Sequence, residues 1–359
     1  MCSSDLPVLK RLWSVSVASE RIVDTLVLSR LFDPSKSGGH SLRNWGNELG
    51  FPKGDHSDFS CLSQEMIDYC IQDVAVTEAV HQKLVKSMAA FLPESLDLEH
   101  KVQWIVQQQE TNGWTLDQRL ANELCATFKE GMNDIQAELQ EMFPPIIEER
   151  FSEKTKKRLK DKVTVFNVGS RQQVAERLKT KGAVWTEVTP SGKPVVDEKT
   201  LKQNSHVPEA AKVLEYLLLQ KRHAQVLSWL EAVKEDGRVH GRVISNGAVT
   251  GRMTHQNPNM AQVPAGHSPY GKECRSCWTV PKGYKLVGID ASGLELRMLA
   301  HYMNDEDYTN EILNGDIHTT NQKLAGLESR NQAKTFIYAL LYGAGDEKLG
   351  SVAGGGRRT

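Results

Sequence analysis

The chain has 359 residues, with 44 Lys and Arg against 45 Asp and Glu, a formal net charge of −1 and 39% hydrophobic residues. This composition fits a globular chain of two or three domains, excludes a long disordered one and excludes a strongly basic protein, though not local cationic patches. No run approaches the ~20 apolar residues of a membrane span, the start MCSSDLPVLK lacks the order of a secretory signal, and the 6 scattered cysteines suit a reducing cytosol better than a disulfide scaffold.

Residues 1–90 read as mixed α/β. VDTLVLSRLF (23–32) opens with an apolar stripe. Residues 41–49 predict a short helix, with Ser41 as N-cap and Gly50 as terminator. Residues 64–88 predict a longer one, because Met66, Tyr69, Cys70, Val74 and Val76 recur at about 3.6-residue spacing. Residues 95–143 read as two helices, ending at Asn112-Gly113 and at Pro144-Pro145. The segment RFSEKTKKRLKDK (150–162) is dense in Lys and Arg. It is either a solvated loop or hairpin, or a flap that contacts phosphates. Ser170 caps a helix through Lys181, and Pro208 opens a long helix over 208–234. Beyond Asp236-Gly237, GRVHGRVISNGAVTGRMTH alternates apolar and polar residues and predicts antiparallel strands. KLVGID (285–290) predicts a central strand, and helices dominate again from 294.

Two constellations carry chemistry. In KLVGIDASGLELR (285–297), Asp290 ends the predicted strand and small residues follow it. A carboxylate at a strand end is a rigid metal ligand open to substrate, and small residues let the backbone approach a phosphate. The same pattern fits a helix N-cap aspartate. In RNQAKTFIYALLYG (330–343), Arg330, Lys334, Tyr338 and Tyr342 stand four apart. Each step of four advances about 40°, so all four share a face of about 120°, with Ala333, Phe336, Ile337, Leu340 and Leu341 on the other. Such a face can grip a triphosphate and stack on a base, or it can be a solvated amphipathic helix. Cys274-x-x-Cys277 lacks a second ligand pair. His240, His255 and His301 lack partner carboxylates at useful spacing, and Asp305-Glu306-Asp307 reads as a solvated turn.

Taken in order, these segments resemble a family. DASGLELR (290–297), GDIHTTNQ (315–322) and RNQAKTFIYALLYGAGDEK (330–348) resemble motifs A and B of the family A, DNA polymerase I-like, DNA polymerases, most of all their phage replicative branch. TGRMTHQNPNMAQVP (250–264) is similar to that family's primer-contacting palm segment. FNVGSRQQVAERL (166–178) and LLLQKRHAQ (217–225) are similar to its thumb and thumb–palm junction. EMIDYCIQDVAVT (65–77) resembles its third exonuclease motif, with Tyr69 and Asp73 in the YxxxD pattern.

The resemblance implies roles. Asp290 would bind two Mg²⁺ ions with help from the Ala291 carbonyl, and these would activate a primer 3′-hydroxyl and stabilise the leaving pyrophosphate. Glu295, with Tyr342, would be the steric gate against a ribose 2′-hydroxyl. His318, Arg330 and Lys334 would hold the triphosphate, Lys334 also protonating the leaving group, and Tyr338 would lie beside the deoxyribose. Arg252 would check pair geometry in the minor groove at the primer terminus, and Asn259 and Gln262 would contact template or primer. Asp5 and Asp73 would be metal-binding carboxylates of the exonuclease, whereas Asp24 has a structural role.

The departures are equally specific. The family's third polymerase motif, His-Asp-Glu, which supplies the second metal-binding aspartate, is absent from the sequence. The exonuclease's first-strand DxE is also missing, because nothing before Asp5 offers one. Phe143 to Phe166 holds only the short basic segment, where phage relatives carry a thioredoxin-capturing insertion, so thioredoxin is not an expected partner.

The expectation is therefore an α+β multidomain chain. A partial RNase H-like 3′–5′ exonuclease domain (1–92) precedes a thumb (93–235), a partial palm (236–314) and the first fingers helix (315–359) of a right-hand polymerase. The chain would be either a truncated product or one half of a split enzyme. Its partners would be primer–template DNA and dNTPs and, in the split case, a complementary carboxyl-terminal polymerase chain, in the cytoplasm of a phage-infected bacterium. The alternatives are a non-catalytic duplex-DNA-binding remnant, a stand-alone exonuclease and a single-subunit RNA polymerase. The missing DxE disfavours the exonuclease, and Glu295 disfavours the RNA polymerase.

Overall fold

Capping side chains decide where the first helices begin. The computed structural model describes residues 5–355, which belong to two compact units, Met1–Lys285 and Leu286–Thr359. In the first unit, α1 (Asp5–Trp13) buries no residue. Helix α2 (Thr25–Phe32) starts where the Asp24 carboxylate accepts the Leu26 N–H at 2.8 Å, so Asp24, 5% exposed, is a structural cap. Helix α3 (Leu42–Glu48) is capped by Ser41 and followed by Gly50 at φ +66°. Helix α4 (Gln64–Ser87) begins at Ser63. Val76, Val80 and Leu84 of α4 pack with Leu28, Trp45 and Met88 in a small core.

Two expectations are corrected here. Among the described residues, 5–90 contain helices and no strand, so this part is not mixed α/β. The apolar stripe of α4 is also buried only from Val76 onward. Val74 is 62% exposed and Cys70 is exposed too, because α2 and α3 pack onto the carboxyl-terminal half of the helix.

The larger core follows. Helix α5 (Pro93–Asn112) ends at Gly113, φ +63°, and leads into β1 (Trp114–Leu116), a strand too short to show a period. After α6 (Gln118–Met142), the basic segment forms a hairpin of β2 (Ile146–Phe151) and β3 (Arg158–Thr164), with Glu148 opposite Lys162. Helices α7 (Arg171–Lys179) and α8 (Glu198–Gln203), capped by Ser170 and Asp197, precede α9 (Pro208–Ala232). Phe128, Leu139, Phe166, Leu178, Leu201 and Trp229 are buried together where α6 lies along α9. Fully burying a large apolar side chain contributes about 1.5–3 kcal/mol.

Strands β4 (Arg238–Val239), β5 (Arg242–Ile244) and β6 (Thr254–Gln256) confirm the antiparallel reading. Helix α10 (Gly271–Ser276) and β7 (Trp278–Thr279) close the unit, and β1 lies between β4 and β7. Cys274 and Cys277 are buried in this core, and burial pushes the Cys277 thiol up to about 12. His240, contrary to expectation, has a carboxylate partner: Asp236 lies 3.2 Å away across the turn into β4.

The predicted strand at 285–290 does not form. Its residues are irregular and exposed, Val287 by 75% and Ile289 by 95%. A strand needs a partner edge for its backbone groups, and no described residue pairs with this segment.

The second unit is helical: α11 (Leu294–Met303), α12 (Glu306–Asn314), α13 (Ile317–Leu324), α14 (Arg330–Leu341) and α15 (Asp346–Val352). Asp305 caps α12, accepting the Tyr308 N–H at 2.8 Å, so the acidic triplet starts a helix rather than forming a free turn. Asp316 caps α13 and Ser329 caps α14. Leu296, Ala300, Ile317, Leu327 and Ala333 are buried, while Leu340, expected on the core face of α14, is half exposed.

Candidate nucleotide-binding site

Helices α13 and α14 pack together in the second unit and line a cleft of about 290 Å³ with Ser292, Gly293 and Arg297. His318 of α13 and Arg330, Lys334 and Tyr338 of α14 all face it. The four-residue spacing on α14 accounts for the shared face. His318 is half-buried, its Nδ1 has no hydrogen-bond partner, and its ring centroid lies 6.2 Å from that of Tyr338. Burial, with Arg330 and Lys334 nearby, lowers the His318 pKa, so the ring is neutral at pH 7. Burial, with Glu295 and Tyr342 nearby, raises the Tyr338 pKa, so its hydroxyl stays protonated.

The Tyr342 hydroxyl donates to Glu295 Oε1 at 3.3 Å, bringing together the two residues of the expected steric gate. Asp290 and Ala291 are exposed in the irregular segment before α11 and do not line the cleft, although Ser292 does. Among the described residues, no three His, Cys, Asp or Glu side chains gather where an ion could sit. Asp290 offers one carboxylate where two Mg²⁺ ions need several oxygen ligands each, so the described residues do not fit a complete metal pair.

Sequence reasoning missed Asp316. Its carboxylate accepts from Arg330 Nε at 2.7 Å and Nη2 at 3.0 Å. Hydrogen bonds from Arg330 and from the Thr319 hydroxyl hold its pKa well below the usual carboxylate range. The signal available was its place as an N-cap before Ile317, which says nothing of a partner 14 residues on.

The remaining positions lie in the first unit. Arg252 is exposed just before β6. Asn259 caps the short helical turn Met260–Gln262, accepting the Ala261 N–H at 3.2 Å. The Gln262 carbonyl accepts from the Gln225 side chain of α9 at 2.5 Å, which ties the expected primer-contacting segment to the long helix. Asp5 and Asp73 line one cavity of about 740 Å³ with Asp24. Tyr69 is outside that lining and packs its ring against His56 and Phe59. Lys53, a second residue the sequence did not reveal, donates to Asp73 Oδ2 at 2.9 Å and stands 4.8 Å from the Tyr69 ring centroid. Hydrogen bonds to Tyr69 and Asp73 raise its pKa. Among the described residues, no helix is long and apolar enough to cross a membrane.

Comparisons with known proteins give the family and the fold. Residues 136–357 match DNA polymerase family A. The DNA-directed DNA polymerase of Escherichia phage T7 is 34% identical over 461 aligned positions, covering 94% of this chain and 65% of the relative. That of Enterobacteria phage T3 is similar to the same extent. DNA polymerase I of Helicobacter pylori is 27% identical over 360 positions, 96% of this chain and 37% of the relative. The chain thus spans 65% of the length of the phage relatives it matches. Since 461 positions exceed the chain's 359 residues, the T7 enzyme carries insertions within the aligned span. Among solved structures, the POL domain of Pol1 from M. smegmatis, in complex with DNA primer–template and dNTP, superposes with a TM-score of 0.74 at 19% identity, covering 93% of this chain and 56% of that one. With 136–357 inside the family's limits and the fold shared with a polymerase domain, this chain belongs to DNA polymerase family A.

Proposed function

We propose that the chain carries the nucleotide- and primer–template-gripping part of a template-directed DNA polymerase. Residues 93–235 serve as thumb, 236–314 as partial palm and 315–359 as the start of the fingers, and residues 1–92 are the remnant of a 3′–5′ exonuclease domain. A dNTP binds in the cleft of the second unit. The supporting observation is the convergence of Arg330, Lys334, His318 and Tyr338 on that one cleft. Arg330 and Lys334 meet the triphosphate, the neutral His318 hydrogen-bonds to it, and Tyr338 borders the sugar. Glu295, bonded to Tyr342, excludes a ribose 2′-hydroxyl. Arg252, Asn259 and Gln262 contact primer or template in the first unit.

The test is equilibrium binding of dTTP and of a labelled primer–template to the whole chain. Removing a charge-assisted hydrogen bond costs about 1.5–3 kcal/mol. Lys334→Ala should therefore weaken dTTP binding about tenfold or more while leaving DNA binding in place. Equal dTTP binding by both proteins would refute the placement of the nucleotide. A second reading, a duplex-binding remnant without turnover, is favoured by the lone carboxylate of Asp290, because no acidic cluster among the described residues completes a metal pair.

A further inference from the structure

We propose that Asp316 is the positioning residue of the nucleotide cleft, fixing Arg330 so that its free edge meets the triphosphate. The inference rests on the nucleotide reading above. One carboxylate gathers donors from both helices. Its Oδ1 accepts the His318 N–H at 3.2 Å and Arg330 Nη2 at 3.0 Å, and its Oδ2 accepts the Thr319 hydroxyl at 2.8 Å and Arg330 Nε at 2.7 Å. Asp316 therefore sets the start of α13, where His318 sits, and the direction of the first side chain of α14.

The guanidinium is a planar, rigid fork. Pinning its Nε–Nη2 edge fixes the opposite edge, where the Nη1 hydrogens and the second Nη2 hydrogen remain for a planar, bidentate grip on phosphate oxygens. Both partners are about half exposed, so the pair adds little to stability, and its consequence is orientation. Electrostatics alone would not place a carboxylate here, since it opposes a polyanion. Lys334, one turn along, needs no such aim because an ammonium is a point charge.

The test is calorimetric titration of the full chain with dTTP and Mg²⁺ at fixed ionic strength, with circular dichroism to check folding. Asp316→Asn keeps a good N-cap but loses the charged fork. It should weaken binding about tenfold, although it makes the cleft more positive. Arg330→Lys should cost a similar factor in the wild type and almost nothing in the Asp316→Asn background, because the fork is already unaimed. Asp316→Ser, a second capping residue too short to reach Arg330, should give the same loss. Thr319→Val, which spares the fork, should change affinity less than about threefold.

Unchanged or tighter binding by Asp316→Asn and Asp316→Ser would make the carboxylate a competing anion and overturn the inference. Additive losses in the double variant would do the same, leaving Asp316 a structural cap. Failure of the wild-type chain to bind dTTP would overturn the nucleotide reading itself.

Discussion

Tyr338 shows how much a single side chain can decide. It is one turn beyond Lys334, half-buried, and its hydroxyl keeps its proton because burial, Glu295 and Tyr342 raise its pKa. A protonated hydroxyl beside the sugar can supply the hydrogen bond that a nucleotide lacking its 3′-hydroxyl leaves unmade. A neutral bond of that kind is worth about 1 kcal/mol, or about fivefold in affinity. Tyr338→Phe should therefore bind dTTP almost unchanged but bind the dideoxy analogue about fivefold less tightly. The measurement is the ratio of the two dissociation constants in each protein. The same ratio in both would move Tyr338 away from the sugar and displace the register of α14. Asp316 is proposed to work at the same scale but through another residue: its loss alone should weaken binding, and varying Arg330 as well should then add almost nothing.

At the scale of an element, the β2–β3 hairpin has an unusual surface. Its strands pair only with each other among the described residues, and nearly every side chain is exposed. A two-stranded ribbon is marginal by itself. Cross-strand pairs support it here: Lys162 meets Glu148 at 3.0 Å, and Arg158 meets Glu149 at 3.3 Å. Lys154, Lys156 and Lys157 at the tip take part in no ion pair among the described residues. That leaves their charge available to a phosphate backbone, which favours the flap over a merely solvated hairpin. Every phosphate that is no longer neutralised by a lysine should reduce the slope of log K against log salt by about 0.9. A triple alanine variant at these lysines should therefore bind primer–template more weakly, with a slope shallower by up to about 2.7, and bind dTTP as before. An unaltered slope would leave the hairpin off the DNA.

Across the whole molecule, binding and chemistry separate. The cleft lined by His318, Arg330, Lys334 and Tyr338 is assembled, but Asp290 is exposed with no acidic cluster around it among the described residues. In the cavity lined by Asp5, Asp24 and Asp73, the Lys53 ammonium already pairs with Asp73 Oδ2. We expect the purified chain to bind primer–template and dNTP yet extend primers poorly with Mg²⁺ and all dNTPs present. Robust extension, abolished by Asp290→Ala, would show that the chain completes its own metal site. Single-stranded DNA labelled at its 3′ end should likewise survive incubation with Mg²⁺ or Mn²⁺. Degradation that disappears in Asp73→Ala would mean that other carboxylates finish the nuclease site despite Lys53.

Local order was legible in the sequence. The caps at Ser41 and Ser170, the turn at Asn112-Gly113, the Pro208 helix start and the common face of Arg330, Lys334 and Tyr338 all arise from groups within a few residues of one another. Helical hydrogen bonds and capping contacts span three or four residues, so a short window of sequence contains both partners. The ordered motifs carried the family for the same reason. Only the tertiary structure decided which distant groups meet. It joined Asp316 to Arg330, placed Lys53 on Asp73 and set the three residues of β1 between strands from far along the chain. It also left 285–290 irregular, because an apolar run becomes a strand only where another edge takes its backbone hydrogen bonds, and no described edge reaches it.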